Sequence, residues 1–206
     1  MWYGLAASAL REKDGAFEIR LTEELSEVAY LDQVKLIAVD HPVGQSLLVS
    51  DKFKAPPFPD FKLYGARTKW PAKRTGNVFD FGVAPPKRSL LVLNGWVDWA
   101  DGSTFRAVSQ ESPDFSLSLG LPYLQVKNAK GEWQTVIEDM GIPAGKPKTI
   151  SVDLTGKFLT KSREVRIVTG MALYWDEIFL GASAAAPQSK LTDVSMDSVD
   201  LHFRGW

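Results

Sequence analysis

Short segments of period two, punctuated by glycine and proline, constrain this chain most. Thr149-Ile150-Ser151-Val152-Asp153-Leu154 alternates apolar with polar residues, and residues 164–169 and 172–180 do the same. Successive side chains of an extended strand point to opposite faces, so this alternation describes strands with one dry side and one wet side. The segments between them carry little helix-favouring sequence. Short strands at regular spacing with glycine and proline between them predict an all-β fold, an antiparallel β-sandwich with long loops and at most short helical turns.

The rest of the chain fits the same pattern. Residues 17–21 alternate apolar and charged, and Lys13-Asp14-Gly15 before them is a turn signal, which makes residues 6–11 the expected hairpin partner. Thr22 is placed to cap one helical turn. Residues 30–39 read as a strand ending at Asp40-His41-Pro42, where proline removes a ladder donor. A short strand follows at 46–49, then a stiff proline-rich connection. Residues 61–87 read as a long, basic loop excursion containing one strand at 78–83. Residues 123–127 and 133–137 flank Asn128-Ala129-Lys130-Gly131 and form a hairpin. Residues 181–187 are small and linker-like, and residues 198–204 alternate as a returning strand. The expected division is a sandwich over 1–181, with a flexible linker and return strand over 182–206.

Composition bounds the function. Hydrophobic residues are 45% of the 206, enough for an ordinary core. The formal charge of −1 gives no electrostatic reason to expect nucleic acid. No apolar run is long enough to span a bilayer. There is no cysteine, so disulfides, thiol nucleophiles and thiolate metal sites are absent from the chain. The start lacks the basic and apolar regions of a signal peptide, and strand-like sequence follows almost at once, as in a segment of a longer protein. Neither a nucleophile elbow nor a phosphate-cradling glycine loop is present. His41 and His202 lie far apart in sequence, and no pair of carboxylates stands out for glycoside cleavage. The chain is therefore read as non-catalytic. No cofactor is expected, although a structural calcium ion bound by Asp98, Asp101, Asp32 or Asp40 would need no sequential motif.

Binding is better provided for. The apolar run Ser89-Leu90-Leu91-Val92-Leu93 reads as a strand buried on both faces, and it runs into Trp96, Asp98, Trp99 and Asp101. An exposed indole offers a flat apolar face to the C–H side of a sugar ring, while nearby carboxylates and amides take its hydroxyls. Trp99 with Asp98, Asp101 and Gln110 suits that role, and so does Trp70 in the basic segment. His41, beside Asp40 at a strand end, is the further ligand candidate. The same indoles would equally serve as core and the aspartates as turn residues. Trp133 and Trp175 lie inside alternating strands and are read as packing.

Residues 172–178 look like the late strand of galactose-binding-like jelly rolls. Four further phrases carry a second resemblance: residues 21–34 running to Asp40-His41-Pro42; Leu93-Asn94-Gly95-Trp96-Val97-Asp98-Trp99; residues 140–149; and Val199-Asp200-Leu201-His202-Phe203-Arg204-Gly205. In this order they resemble the C-terminal region of large bacterial proteins that carry FG-GAP, ASPIC/UnbV or tetratricopeptide repeats. The resemblance implies a non-catalytic β-rich module on a secreted or envelope-associated polypeptide. Its partners would be carbohydrate or the repeats of the parent protein, with no nucleic acid and no membrane insertion.

Overall fold

The computed structural model of the protein describes residues 4–21, 34–52, 63–98, 120–144, 147–183 and 189–200. The chain divides into two compact units, 1–42 with 188–206, and 43–187.

The first unit holds two small antiparallel ribbons. In one, β1 (Glu12–Lys13) pairs with β2 (Ala16–Phe17). Asp14 and Gly15 both have positive φ, 54° and 82°, the pattern that a two-residue hairpin turn of matching twist requires. The turn thus lies where Lys13-Asp14-Gly15 placed it. The expected partner, residues 6–11, is not a strand: β1 begins at Glu12, residues 7–9 form a 3₁₀ turn, and residues 18–21 are outside any strand. Every residue of β1 and β2 is exposed, so no dry face extends the pairing. In the other ribbon, β3 (Leu36–Asp40) pairs with β14 (Lys190–Val194), and β3 ends before His41-Pro42 as expected. Residues 198–200 are outside any strand, and the remainder of the expected return strand lies outside the described residues, as does the turn at Thr22.

The second unit is the antiparallel β-sandwich that the alternation predicts. Its strands are β4 (Ser46–Val49), β5 (Leu63–Pro71), β6 (Lys73–Thr75), β7 (Val78–Asp80), β8 (Ser89–Val97), β9 (Tyr123–Lys127), β10 (Trp133–Ile137), β11 (Lys148–Asp153), β12 (Glu164–Val168) and β13 (Leu173–Ser183). They form two five-stranded sheets: sheet I in the order β10-β9-β12-β7-β6, and sheet II in the order β11-β8-β13-β5-β4. The hairpin β9–β10 closes as expected, with the Asn128 side chain accepting from the backbone N–H groups of Lys130 and Glu132. The expected loop excursion with one strand at 78–83 is corrected: residues 63–80 hold three strands, of which β7 begins at Val78 as expected, and residues 81–87 are outside any strand. Inward positions of β5 carry small residues where its neighbours come close. The Gln45 side chain fills the space a Cβ on Gly65 would need, and a Cβ on Gly181 would lie 3.1 Å from that of Ala66. That close approach removes the large apolar residues by which a strand is usually recognised.

Leu91 and Leu93 of β8 pack between the sheets with Leu124, Val126, Ile150, Val152, Val165, Ile167 and Leu180. Leu90 and Val92 point the other way and form a second cluster with Phe179, against which Leu48 and Tyr64 pack. All four β8 side chains are fully buried, so the strand is dry on both faces as its sequence predicts. Sheet II rolls up to achieve this. The chain leaving β4, at one edge, reaches β11 at the other: the Asp51 N–H donates to the Thr149 carbonyl at 2.9 Å, and the Ser151 N–H donates to Ser50 Oγ at 3.1 Å. Lys148 and Asp51 add an ion pair at 3.7 Å across this seam.

Burial of Tyr64, and secondarily the nearby Asp153 carboxylate, push its phenol above the ordinary tyrosine range. The folded state then holds this proton more tightly than the unfolded chain does. Its contribution to stability is complete below about pH 10 and declines as pH rises through the folded value. Tyr64→Phe is expected to flatten that alkaline decline, measured by denaturant unfolding at a series of pH values.

Candidate functional site

At the exit of β8, Trp96 and Tyr174 stand opposite each other on β8 and β13. Their rings stack with centroids 5.5 Å apart and planes 13° from parallel. They remain 38% and 47% exposed, unlike the sealed side chains farther down the same strands. The Tyr174 hydroxyl donates to Asp98 Oδ2 at 3.5 Å. Below them a polar row crosses three strands: Thr149 Oγ1 donates to Asn94 Oδ1 at 2.7 Å, and Asn94 Nδ2 donates to Glu177 Oε2 at 2.8 Å. The exit of this strand does present aromatic and acidic side chains. Trp99, Asp101 and Gln110, expected to form the site with Asp98, lie outside the described residues.

The other sequence candidates occupy different settings. Trp70 belongs to strand β5, opposite Leu180, and packs against the inter-sheet core, so it is not an indole presented by a basic loop. His41 belongs to the first unit, where it is exposed at the end of β3 with Nδ1 3.2 Å from the Pro42 carbonyl oxygen. Among the described residues no three His, Asp or Glu side chains group to hold a metal ion, and no helix is long and apolar enough to cross a membrane.

The better-formed surface is the outer face of sheet I. Its register aligns side chains in two rows. The first runs Trp133, Lys127, Glu164, Asp80, Lys73, and the second Thr135, Gln125, Arg166, Val78, Thr75. The residues alternating with them in sequence, such as Leu124, Val126, Val165 and Phe79, fill the core, so period two sends these two rows outward. The first row, with Thr75 and Val78 of the second, lines an open groove of about 400 Å³, and Gln125, Thr135 and Arg166 lie beside it on the same face.

Trp133 is therefore corrected from packing residue to groove wall. Lys127 Nζ lies 5.2 Å and Arg166 Cζ 4.8 Å from its ring centroid, both within cation–π range. Lys127 also pairs with Glu164, and Arg163 pairs with Asp80 at 3.2 Å. The Arg166 guanidinium is held by a short chain of hydrogen bonds: its Nε donates to Gln125 Oε1 at 2.7 Å, and Gln125 Nε2 donates to Thr135 Oγ1 at 3.1 Å. This face combines an indole, fixed cations and hydrogen-bonding side chains in an open trough. Such a surface can stack a flat, partly apolar ring and bond its polar substituents.

A β-bulge hid this site from sequence reasoning. In β10, Trp133, Thr135 and Ile137 share one phase, and Ile137 packs inward. The register shifts between Thr135 and Ile137, with Val136 as the extra residue, so Trp133 and Thr135 face the opposite way. The one sequence signal available was threonine in phase with the indole on an edge strand.

Comparison of the chain with protein-family models, with curated proteins and with solved structures finds no match.

Proposed function

We propose that the sandwich is a carbohydrate-binding module, that the outer face of sheet I is its contact surface, and that it binds without cleaving. The observation that carries this reading is the Trp133 indole set in the wall of an open groove lined mostly by polar side chains. Glu164 and Asp80, the carboxylates of that groove, are engaged by Lys127 and Arg163, an arrangement that anchors a surface. The phrases resembling the C-terminal regions of bacterial repeat proteins support placing the module on a larger secreted or envelope polypeptide.

The test is thermal unfolding against a panel of oligosaccharides, each with calcium and with chelator. A saccharide present at about 100 times its dissociation constant adds about 2.7 kcal/mol, a readily measured rise in melting temperature. Trp133→Ala should abolish that rise while costing the free protein only about 1–2 kcal/mol, the worth of two exposed cation–π contacts. Release of shorter sugars during the titration would replace binding by hydrolysis.

A second reading, a domain that docks on other protein surfaces, has its own support in the exposed Trp96–Tyr174 pair. A panel in which no saccharide raises the melting temperature moves the assignment there.

A further inference from the structure

Resting on the carbohydrate reading, we infer that the groove of sheet I selects acidic saccharides, with the Arg166 guanidinium receiving the carboxylate of a uronic acid residue whose ring stacks on Trp133.

Three observations support this. First, the charge of the face around the groove is lopsided although the chain as a whole carries −1. Lys73 and Lys127 line it and Arg163 and Arg166 stand beside it, against two carboxylates, Asp80 and Glu164, and each of these is already in an ion pair. A neutral polysaccharide needs no such excess, whereas an anionic one is drawn to it. Second, Arg166 is oriented rather than merely present. Gln125 takes Nε and is itself fixed by Thr135, and the described residues offer the two terminal nitrogens no hydrogen-bond partner. A planar guanidinium held by its Nε presents those nitrogens as a fork matched to the two oxygens of a carboxylate. Third, the guanidinium lies over the indole, 4.8 Å from its centroid, so that one pyranose ring packed against the part of Trp133 lining the groove can reach both. A uronic acid carries its carboxylate on the ring it stacks with, which gives it the apolar face and the charge at this spacing. Lys73, exposed at the far end of the row, would engage the acid of a neighbouring residue along the chain.

The experiment titrates the protein with oligogalacturonate, with its methyl ester, which keeps every ring and loses the charge, and with oligomannuronate. Neutral cello- and xylo-oligosaccharides complete the panel. Calorimetry at low and raised ionic strength reads the affinities. The expected result is that at least one acid oligomer binds, that esterification weakens it by roughly tenfold or more, the worth of a hydrogen-bonded charge, and that added salt weakens it too. The two uronate arms separate galacturonate from mannuronate as the source of the carboxylate. Arg166→Gln should reduce acid binding by a similar factor and bring the acid and its methyl ester to nearly equal affinity. Lys73→Gln, a substitution at an exposed position, serves as a second variant with no demand on folding and should lower affinity for longer acid oligomers. Methyl ester binding as tightly as the acid, or neutral oligomers bound in its place and lost with Trp133→Ala, would overturn the acid preference and leave the carbohydrate reading standing. No binding to either class would overturn both.

Discussion

Gly95→Ala is expected to unfold the sandwich or to cost it more than about 3 kcal/mol, the range of overpacking that the backbone cannot relieve. Gly95 lies in β8 between Lys148 of β11 and Trp175 of β13. A Cβ added there would sit 2.1 Å from the Tyr174 carbonyl oxygen and 2.6 Å from Cε3 of the Trp175 indole. No rotamer change removes the first contact, because its partner is main chain. The close approach follows from the bulge next door, where the register of β13 against β8 shifts between Trp175 and Glu177. That shift lets Trp175, Ile178 and Leu180 all pack on the inter-sheet core although they differ in parity along the strand. An alanine at 95 would push the indole off the core and pull β13 from β8. Urea denaturation gives the cost. Gly4→Ala is the control, since a Cβ there meets nothing within 4 Å and a near-zero change is expected.

Phe179→Ala is expected to cost about 3–5 kcal/mol, the range for emptying a sealed aromatic site. The ring is 1% exposed and shares its small cluster with Leu90 and Val92. So small a cluster, enclosed by a rolled sheet, has little freedom to collapse into the gap. The Lys69 ammonium 4.7 Å from the ring centroid is a separate and lesser contribution. Lys69→Gln should therefore cost about 0.5–1 kcal/mol, as exposed cation–π contacts do. Equal losses from the two substitutions in denaturant unfolding would mean that the ring is held by its charge contact and not by burial.

The parts of the fold that were legible are those in which one residue type reports one environment. The run from Leu90 to Leu93 has no polar phase, and the strand is dry on both sides. Strand β11 alternates, and it packs Ile150 and Val152 inward. The Asn128–Gly131 turn announced its hairpin. What stayed hidden depends on neighbours distant in sequence. Strand β5 is marked by Gly65 and Ala66, which are small because Gln45 and Gly181 press on them, and nothing local says so. The groove was hidden for a different reason. Periodicity shows that two faces exist but not which one is dry, and the bulge at Val136 reverses the assignment within one strand. At the exit of β8 the sequence pointed to Asp98, which the structure places beside Tyr174, a partner 76 residues later in the chain.

The seam that closes sheet II has a consequence for how the protein comes to be folded. Ser50 and Ser151 are 101 residues apart, so the contact between them closes a loop nearly half the chain long. Closing a loop carries an entropic cost that grows with its length, and here it precedes any return from the contacts it makes. The hairpins β9–β10 and β6–β7 can zip locally, whereas the seam must wait until β5, β13, β8 and β11 are already laid side by side. Folding of this unit is thus governed by non-local pairing, the regime of slow-folding β proteins. Until the seam forms, β4 and β11 are open edges, able to pair with another chain. A nascent or heat-stressed copy is most exposed to association during that interval, and shutting the seam ends it.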